Sequence, residues 1–182
     1  MKIFVLAGKA GSGKGEVARM IKEYYIYKLQ NSVITEYCKY LKLFAKEMTD
    51  WDGISENKPR DFLQQFGSKI RAYDKNFFTK RMIEDVNIYA AGDIQNVIIA
   101  DARMPEEIEK IKLNFDEMYE VYSIYIVNQF APSKLTIEQQ AHITETALEN
   151  YDEFDYTIAN DELGSLKDKV FKYLEGIEEN EK

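Results

Sequence analysis

Met1-Lys2-Ile3-Phe4-Val5-Leu6-Ala7-Gly8-Lys9-Ala10-Gly11-Ser12-Gly13-Lys14-Gly15 opens the chain, and its reading decides the fold. Residues 1–7 are an apolar run, much shorter than the ~20 residues that cross a bilayer and suited to a buried parallel strand. The run empties into Gly8, four residues, Gly13 and Lys14, the spacing of a phosphate-binding loop. Glycines at 8, 11 and 13 let the backbone curl so that successive N–H groups point at phosphate oxygens. Gly8, Ala10, Gly11, Ser12, Gly13, Lys14 and Gly15 are therefore the expected phosphate-binding set, with Lys14 bringing a mobile positive charge to the β/γ end. The helix expected to follow adds its positive N-terminal end. A Gly-rich turn between strand and helix can be only a turn, but here strand, loop, lysine and helix follow in the required order. The pattern breaks at its last place, where Gly15 stands instead of the Ser or Thr whose hydroxyl normally ligates Mg²⁺.

Composition narrows the class. The 182 residues can build one sizeable core, so a single domain over 1–182 is expected. With 45% hydrophobic and 31% charged residues the chain is ordinary for a globular protein. No apolar stretch reaches the length of a membrane span, and no basic segment with a cleavable hydrophobic stretch opens the chain, which predicts a cytoplasmic protein without a membrane partner. Cys38 is the only cysteine, so neither an internal disulfide nor a cysteine metal cluster can form within one chain. A net charge of −8 argues against nucleic acid polymers, which need a basic face.

Beyond the loop, Val17, Ala18, Met20, Ile21, Tyr24, Tyr25 and Leu29 recur at helical spacing and predict a helix over 14–29. Val33 to Tyr37 reads as a second strand, and Tyr40 to Met48 as an amphipathic helix. Asp50 to Lys58 is a polar loop, and Pro59 suits the first turn of a long helical region running to Ala90, with a break near Asp74-Lys75-Asn76. Residues 50–92 are the expected mobile acceptor-binding region. Asn96 to Asp101 is a third strand, with Asp101 at the C-terminal end where open α/β sheets place ligands. A Glu-rich helix after Pro105, a strand over 120–127 and a strand over 155–159 follow. Asn128 to Glu138 reads as irregular, inside a possible short lid over 128–141. Leu163 to Leu174 predicts a last helix, with an acidic, frayed end from Glu175. Alternating strands and helices make this a three-layer α/β sandwich, with a parallel five-stranded sheet and helices on both faces.

The second half of the site lies in scattered residues. Arg60, Arg71 and Arg103 can grip phosphate with two nitrogens each, and Arg103 stands two residues after Asp101. Asp101 can orient Mg²⁺ through water or polarise an attacking phosphate oxygen; capping the helix after Pro105 is its alternative role. Glu16 is a substitute carboxylate for the metal. His142 reads as a helix-start or packing residue as readily as a catalytic one. The 13 tyrosines are core and groove surface, one or two of them available to stack on a base.

Four segments taken together carry a resemblance. They are Gly8 to Lys14; Arg60-Asp61-Phe62-Leu63-Gln64-Gln65-Phe66-Gly67 with Arg71; Asp101-Ala102-Arg103-Met104-Pro105-Glu106-Glu107; and His142-Ile143-Thr144-Glu145. In this order they resemble the deoxynucleoside monophosphate kinases of phages and bacteria, over residues 1 to about 166. The resemblance implies a P-loop NTPase fold and transfer of the γ-phosphoryl group of Mg²⁺-bound ATP to a (deoxy)nucleoside monophosphate. It also implies Lys14, Asp101 and Arg103 as catalytic groups and Arg60, Gln64, Arg71 and Arg103 as acceptor-binding groups, with Asp101 and Glu16 at the metal. The chain departs from that family at Gly15-Glu16, where Asp-Thr is common, at Asn128, where Arg is usual, and at Phe77-Phe78, where a Trp is usual. A dephospho-coenzyme A kinase and a catalytically weak nucleotide-binding regulatory module stay open as alternatives, and a homodimer through the Tyr-rich helices is a further expectation.

Overall fold

The computed structural model describes residues 1–54, 57–128, 135–161 and 163–179. Five parallel strands, β1 (Lys2–Ala7), β2 (Ser32–Thr35), β3 (Asn96–Ala102), β4 (Glu120–Val127) and β5 (Tyr156–Ala159), form one sheet in the order β2-β3-β1-β4-β5. β1 lies in the middle, paired with β3 on one side and β4 on the other. That position explains its sequence: a central parallel strand is covered on both faces, so its apolar residues run continuously instead of alternating.

The two faces sort by parity along β1. Ile3, Val5 and Ala7 join a core with Leu41, Leu63, Phe78, Met82, Ile108 and Phe115, from α2 (Lys39–Met48), α3 (Arg60–Tyr73), α4 (Phe77–Ala91) and α5 (Pro105–Phe115). Phe4 and Leu6 join the opposite core, with Val17, Ile21 and Tyr25 of α1 (Lys14–Tyr27) and Leu166, Val170 and Leu174. Helices therefore cover both faces, as the alternating pattern predicts. Among the described residues no helix is long and apolar enough to cross a membrane.

The long helical region does break where expected: the Asp74 carboxylate accepts a hydrogen bond from the Asn76 backbone N–H (2.9 Å), ending α3 and starting α4. Other boundaries differ. α1 stops at Tyr27, and Leu29, expected inside it, takes a left-handed conformation (φ 60°) that closes the turn. Tyr37 is outside β2; its ring is buried and its hydroxyl donates to the Glu107 carbonyl. A short helix, α6 (Ile137–Gln140), occupies the end of the region expected to be irregular or a lid, and another, α7 (Ile143–Thr146), follows it, while residues 129–134 of that lid lie outside the described residues. The last helix, α8 (Leu163–Glu179), passes the expected stop at Leu174. Ile177, buried, continues the apolar series of Leu166, Val170 and Leu174, and that buried stripe holds the acidic turns in helix.

Candidate active site

The loop after β1 is built by backbone conformation and closed by one side chain. Gly8, Gly11 and Gly13 all have positive φ (143°, 81° and 100°). Gly8 and Gly13 each exclude a larger residue twice, Gly8 by its φ and by the Ile126 carbonyl that an added Cβ would strike. The Gly13 φ is left-handed, and an added Cβ there would collide with the Asn160 carboxamide. Asn160, at the end of β5, donates from Nδ2 to the Ser12 carbonyl (2.9 Å) and so ties the loop to the far side of the sheet. Ser12 is buried, with its hydroxyl unpartnered among the described residues. The first turn of α1 follows at once, so its free N–H groups face the loop's concavity.

Lys14 is nearly buried, and its Nζ donates to the Gly8 carbonyl (2.7 Å) and the Lys9 carbonyl (2.8 Å). Burial, with the nearby Arg103 guanidinium adding to it, lowers its pKa to about 7; Glu145 and Asp101 act in the opposite sense. The amine is thus held between charged and neutral forms until an anion arrives. Gly15 lies in open space: an added Cβ would meet nothing within 4 Å. Room for a hydroxyl exists where the chain supplies none.

A cleft opens along the C-terminal edge of the sheet, lined by Lys58, Arg60, Gln64, Arg71, Asp101, Arg103, Glu107 and Glu145 among others. Arg60, Gln64, Arg71, Asp101 and Arg103, chosen from the sequence, are therefore brought together, although their side chains are engaged very differently. Among the described residues, Arg60 and Lys58 have no carboxylate within ion-pairing distance. Burial, then the neighbouring Lys42 and Arg60 charges, lowers the Lys58 pKa. Arg71 Nη2 pairs with Glu107 Oε1 at 3.2 Å, and its guanidinium lies 4.7 Å from the centre of the Phe78 ring. Gln64 Nε2 donates to the Gln139 carbonyl (3.2 Å), clipping α3 to α6.

Two acids that drew no role from the sequence organise this edge. Glu107 is buried in the first turn of α5, and its Oε2 accepts from the backbone N–H groups of Arg103 (2.7 Å) and Met104 (3.2 Å). Burial raises its pKa to about 7 against the opposing pull of Arg71. Capping α5 is therefore the work of Glu107, not of Asp101. A carboxylate placed three residues into a helix is a known signature, and Met104-Pro105-Glu106-Glu107 carries it. Glu145, in α7, pairs with Arg103 Nη1 and accepts from the Ala10 N–H of the loop (3.0 Å). Lys9 and Glu149 form a second, exposed link between the same two segments (2.6 Å).

Asp101 turns to the strand beside it. Its Oδ1 accepts from the Tyr37 N–H (2.6 Å) and its Oδ2 from the Cys38 N–H (3.1 Å), fixing the turn between β2 and α2. Glu36 and Cys38 lie close enough to form a three-residue cluster with it. A thiol suits Mg²⁺ poorly, whereas a carboxylate that keeps further lone pairs suits an ion bound chiefly by ATP phosphates and water. Asp101 thus fits a water-mediated role toward Mg²⁺. Glu16 does not join it: its carboxylate pairs with Arg19 on the exposed face of α1, and it does not line the cleft. His142 caps α7, its Nδ1 accepting from the Thr144 N–H (3.3 Å), and its Nε2 meets Ser68 Oγ at 3.0 Å. Of its two readings the helix-start role is the one present.

The sheet order and the glycine loop after the central strand are those of a P-loop NTPase α/β sandwich. The APS kinase of Mycobacterium tuberculosis, in a structure with AMPPNP and APS, is 12% identical over 97% of each chain, with a TM-score of 0.62. A mutant form of the same enzyme is 13% identical over 97% of this chain and 96% of its own, with a TM-score of 0.52. At that identity the likeness is one of fold. No protein-family model and no curated protein sequence matches the chain.

Proposed function

We propose that the chain transfers the γ-phosphoryl group of ATP to a small phosphorylated acceptor, and specifically to a nucleoside or deoxynucleoside monophosphate. One observation carries the reading: the phosphate-binding loop opens beside a cleft whose wall gathers Lys58, Arg60, Arg71 and Arg103 against three carboxylates, Asp101, Glu107 and Glu145, in a protein of net charge −8. A concentration of cations against the overall charge is what two phosphorylated substrates require, since each brings its own negative charge to the point of transfer. A P-loop kinase fold, met in a protein whose structure was determined with a nucleotide analogue and APS, supports phosphoryl transfer in general. The nucleoside monophosphate rests on the resemblance of the four segments.

In this reading the donor phosphates rest on the N–H groups of residues 10–15 and on the N-terminus of α1, with Lys14 at the β/γ end. Lys58 and Arg60 receive the acceptor phosphate, with Gln64 at its side. Arg71 and Arg103 face the transferring group, and Arg103 neutralises charge as it develops. An acceptor phosphate oxygen forms the new bond to the γ-phosphorus while the bond to the β–γ bridging oxygen breaks. The leaving electron pair stays on ADP, and an ionised acceptor oxygen needs no base. Mg²⁺ brought with ATP would supply charge neutralisation on the transferring phosphates, and Asp101 is the residue that would help to hold it. Catalysis here is positioning and electrostatic stabilisation. A coupled assay for ADP across a panel of nucleoside monophosphates tests it, with stimulation by at least one acceptor expected. The replaced residue at Gly15 favours one other reading, a nucleotide-binding module with weak transfer, which would bind ATP and respond to no acceptor.

A further inference from the structure

Glu145 places a carboxylate where the loop is built to hold a phosphate. It accepts a hydrogen bond from Ala10 N, one of the loop's own donors, at 3.0 Å. Its other oxygen pairs with Arg103, and the side chain of Glu145 is only 9% exposed. The turn just after α7 grips the loop again through Lys9 and Glu149, and Leu148 packs into the core shared with α2 to α5. A carboxylate on the Ala10 N–H, paired with a guanidinium and close enough to the buried Lys14 to act on its charge, meets the electrostatic demand of all three. An arriving polyphosphate satisfies the same demand with more charge.

We propose that Glu145 is a resident anion of the phosphate-binding loop, exchanged for nucleotide phosphate when ATP binds. The inference rests on the reading of Gly8 to Lys14 as an ATP phosphate site, and not on the identity of the acceptor. Exchange has two effects. It frees the Ala10 N–H for the donor, and it releases Arg103 from its partner toward the transferring group. Arg103 therefore becomes available only when a donor is in place, and α7 is the element that reports the occupied loop. Glu145 is a positioning residue in this scheme: in the resting protein it holds Arg103 and the loop in register, and it opposes nucleotide binding by competing for the same groups.

The test is ATP titration by calorimetry, with no acceptor present, for the parent, Glu145→Gln and Glu149→Gln. Removing the competing charge is expected to tighten ATP binding by about tenfold, the scale of one charge-assisted hydrogen bond. The exposed Glu149 link should change affinity by no more than about twofold. Melting adds a readout that a merely structural role would not move. Unliganded Glu145→Gln should melt below the parent and regain parental stability at saturating ATP, because the lost contact is one that ATP replaces. Hydrogen exchange on the parent alone should find faster exchange of the amides of residues 143–149 with ATP bound than without. If Glu145→Gln binds ATP as the parent does or more weakly, or if exchange there is unchanged or slowed, the proposal is overturned while the loop reading stands. A parent that binds no ATP overturns both.

Discussion

The glycine loop and the cleft beside it, the proposed donor and acceptor walls of one site, are built on opposite plans. On the donor side several polar groups are already held: Lys14 by two loop carbonyls, the Ser12 carbonyl by Asn160, the Ala10 N–H by Glu145. On the acceptor side Lys58 and Arg60 stand without ion-pair partners among the described residues, while Arg71 is anchored by a buried acid. The donor wall is a preformed shape made of backbone. The wall proposed for the acceptor is a field of charge made of side chains from separate elements.

The comparison can be broken from either side. The largest effect is expected from Lys14→Ala, which should abolish measurable ATP binding by calorimetry; unchanged affinity would remove the donor wall from the account. The same lysine sets a pH dependence. Its pKa of about 7 in the free protein lies below the ordinary value of 10.5, and a bound phosphate should draw it back up. The complex therefore holds more protons than the free protein above pH ~7, so affinity falls as pH rises through that region. Binding at pH ~8 should take up protons, visible as a buffer-dependent enthalpy.

Next in size is the acceptor wall. Arg60→Ala should raise the acceptor KM by tens-fold or more, roughly the loss of one or two charge-assisted hydrogen bonds, while ATP affinity in the absence of acceptor stays within about twofold. Loss of ATP binding in that variant would mean that the two walls are not separate. Glu107→Ala should cost about 3–5 kcal/mol of stability in urea denaturation, because it strands the Arg71 charge and two backbone N–H groups. The Glu107 carboxyl, at about 7, titrates above its ordinary value of 4.5, so the native state binds more protons than the unfolded chain between the two. Its contribution is full below pH ~4.5 and is lost as pH rises through ~7, and Glu107→Gln should remove that slope from the parent-minus-variant difference.

The smallest effect is the most local. Since a Cβ at Gly15 meets nothing within 4 Å, Gly15→Thr should fold normally and lower the Mg²⁺ concentration for half-maximal turnover by a few-fold. A variant with poorer Mg²⁺ dependence would mean that the ion does not approach this turn.

How much was readable in advance follows the same division. Residues 1–14 could be read because strand, turn and helix are specified locally, by an apolar run, glycines at fixed spacing and one lysine. Asp101 and Arg103 could be placed at the sheet edge because they follow an apolar strand directly. The long-range ion pairs could not, because Glu107 meets Arg71 and Glu145 meets Arg103 across 36 and 42 residues. Lys58 was passed over as one charge in a polar loop, and only burial beside Arg60 gives it weight. α6 and α7, each four residues long, carry too little periodicity to register. α8 runs on past Leu174 because Ile177, hidden among acids, packs into the core.

The central claim is that both walls serve one transfer. The direct measurement is the fate of a labelled γ-phosphoryl group when the protein is incubated with Mg²⁺-ATP and each nucleoside monophosphate in turn. Label appearing in the corresponding nucleoside diphosphate, and lost in Lys14→Ala, is the result predicted; label released only as inorganic phosphate, whichever monophosphate is present, would contradict it.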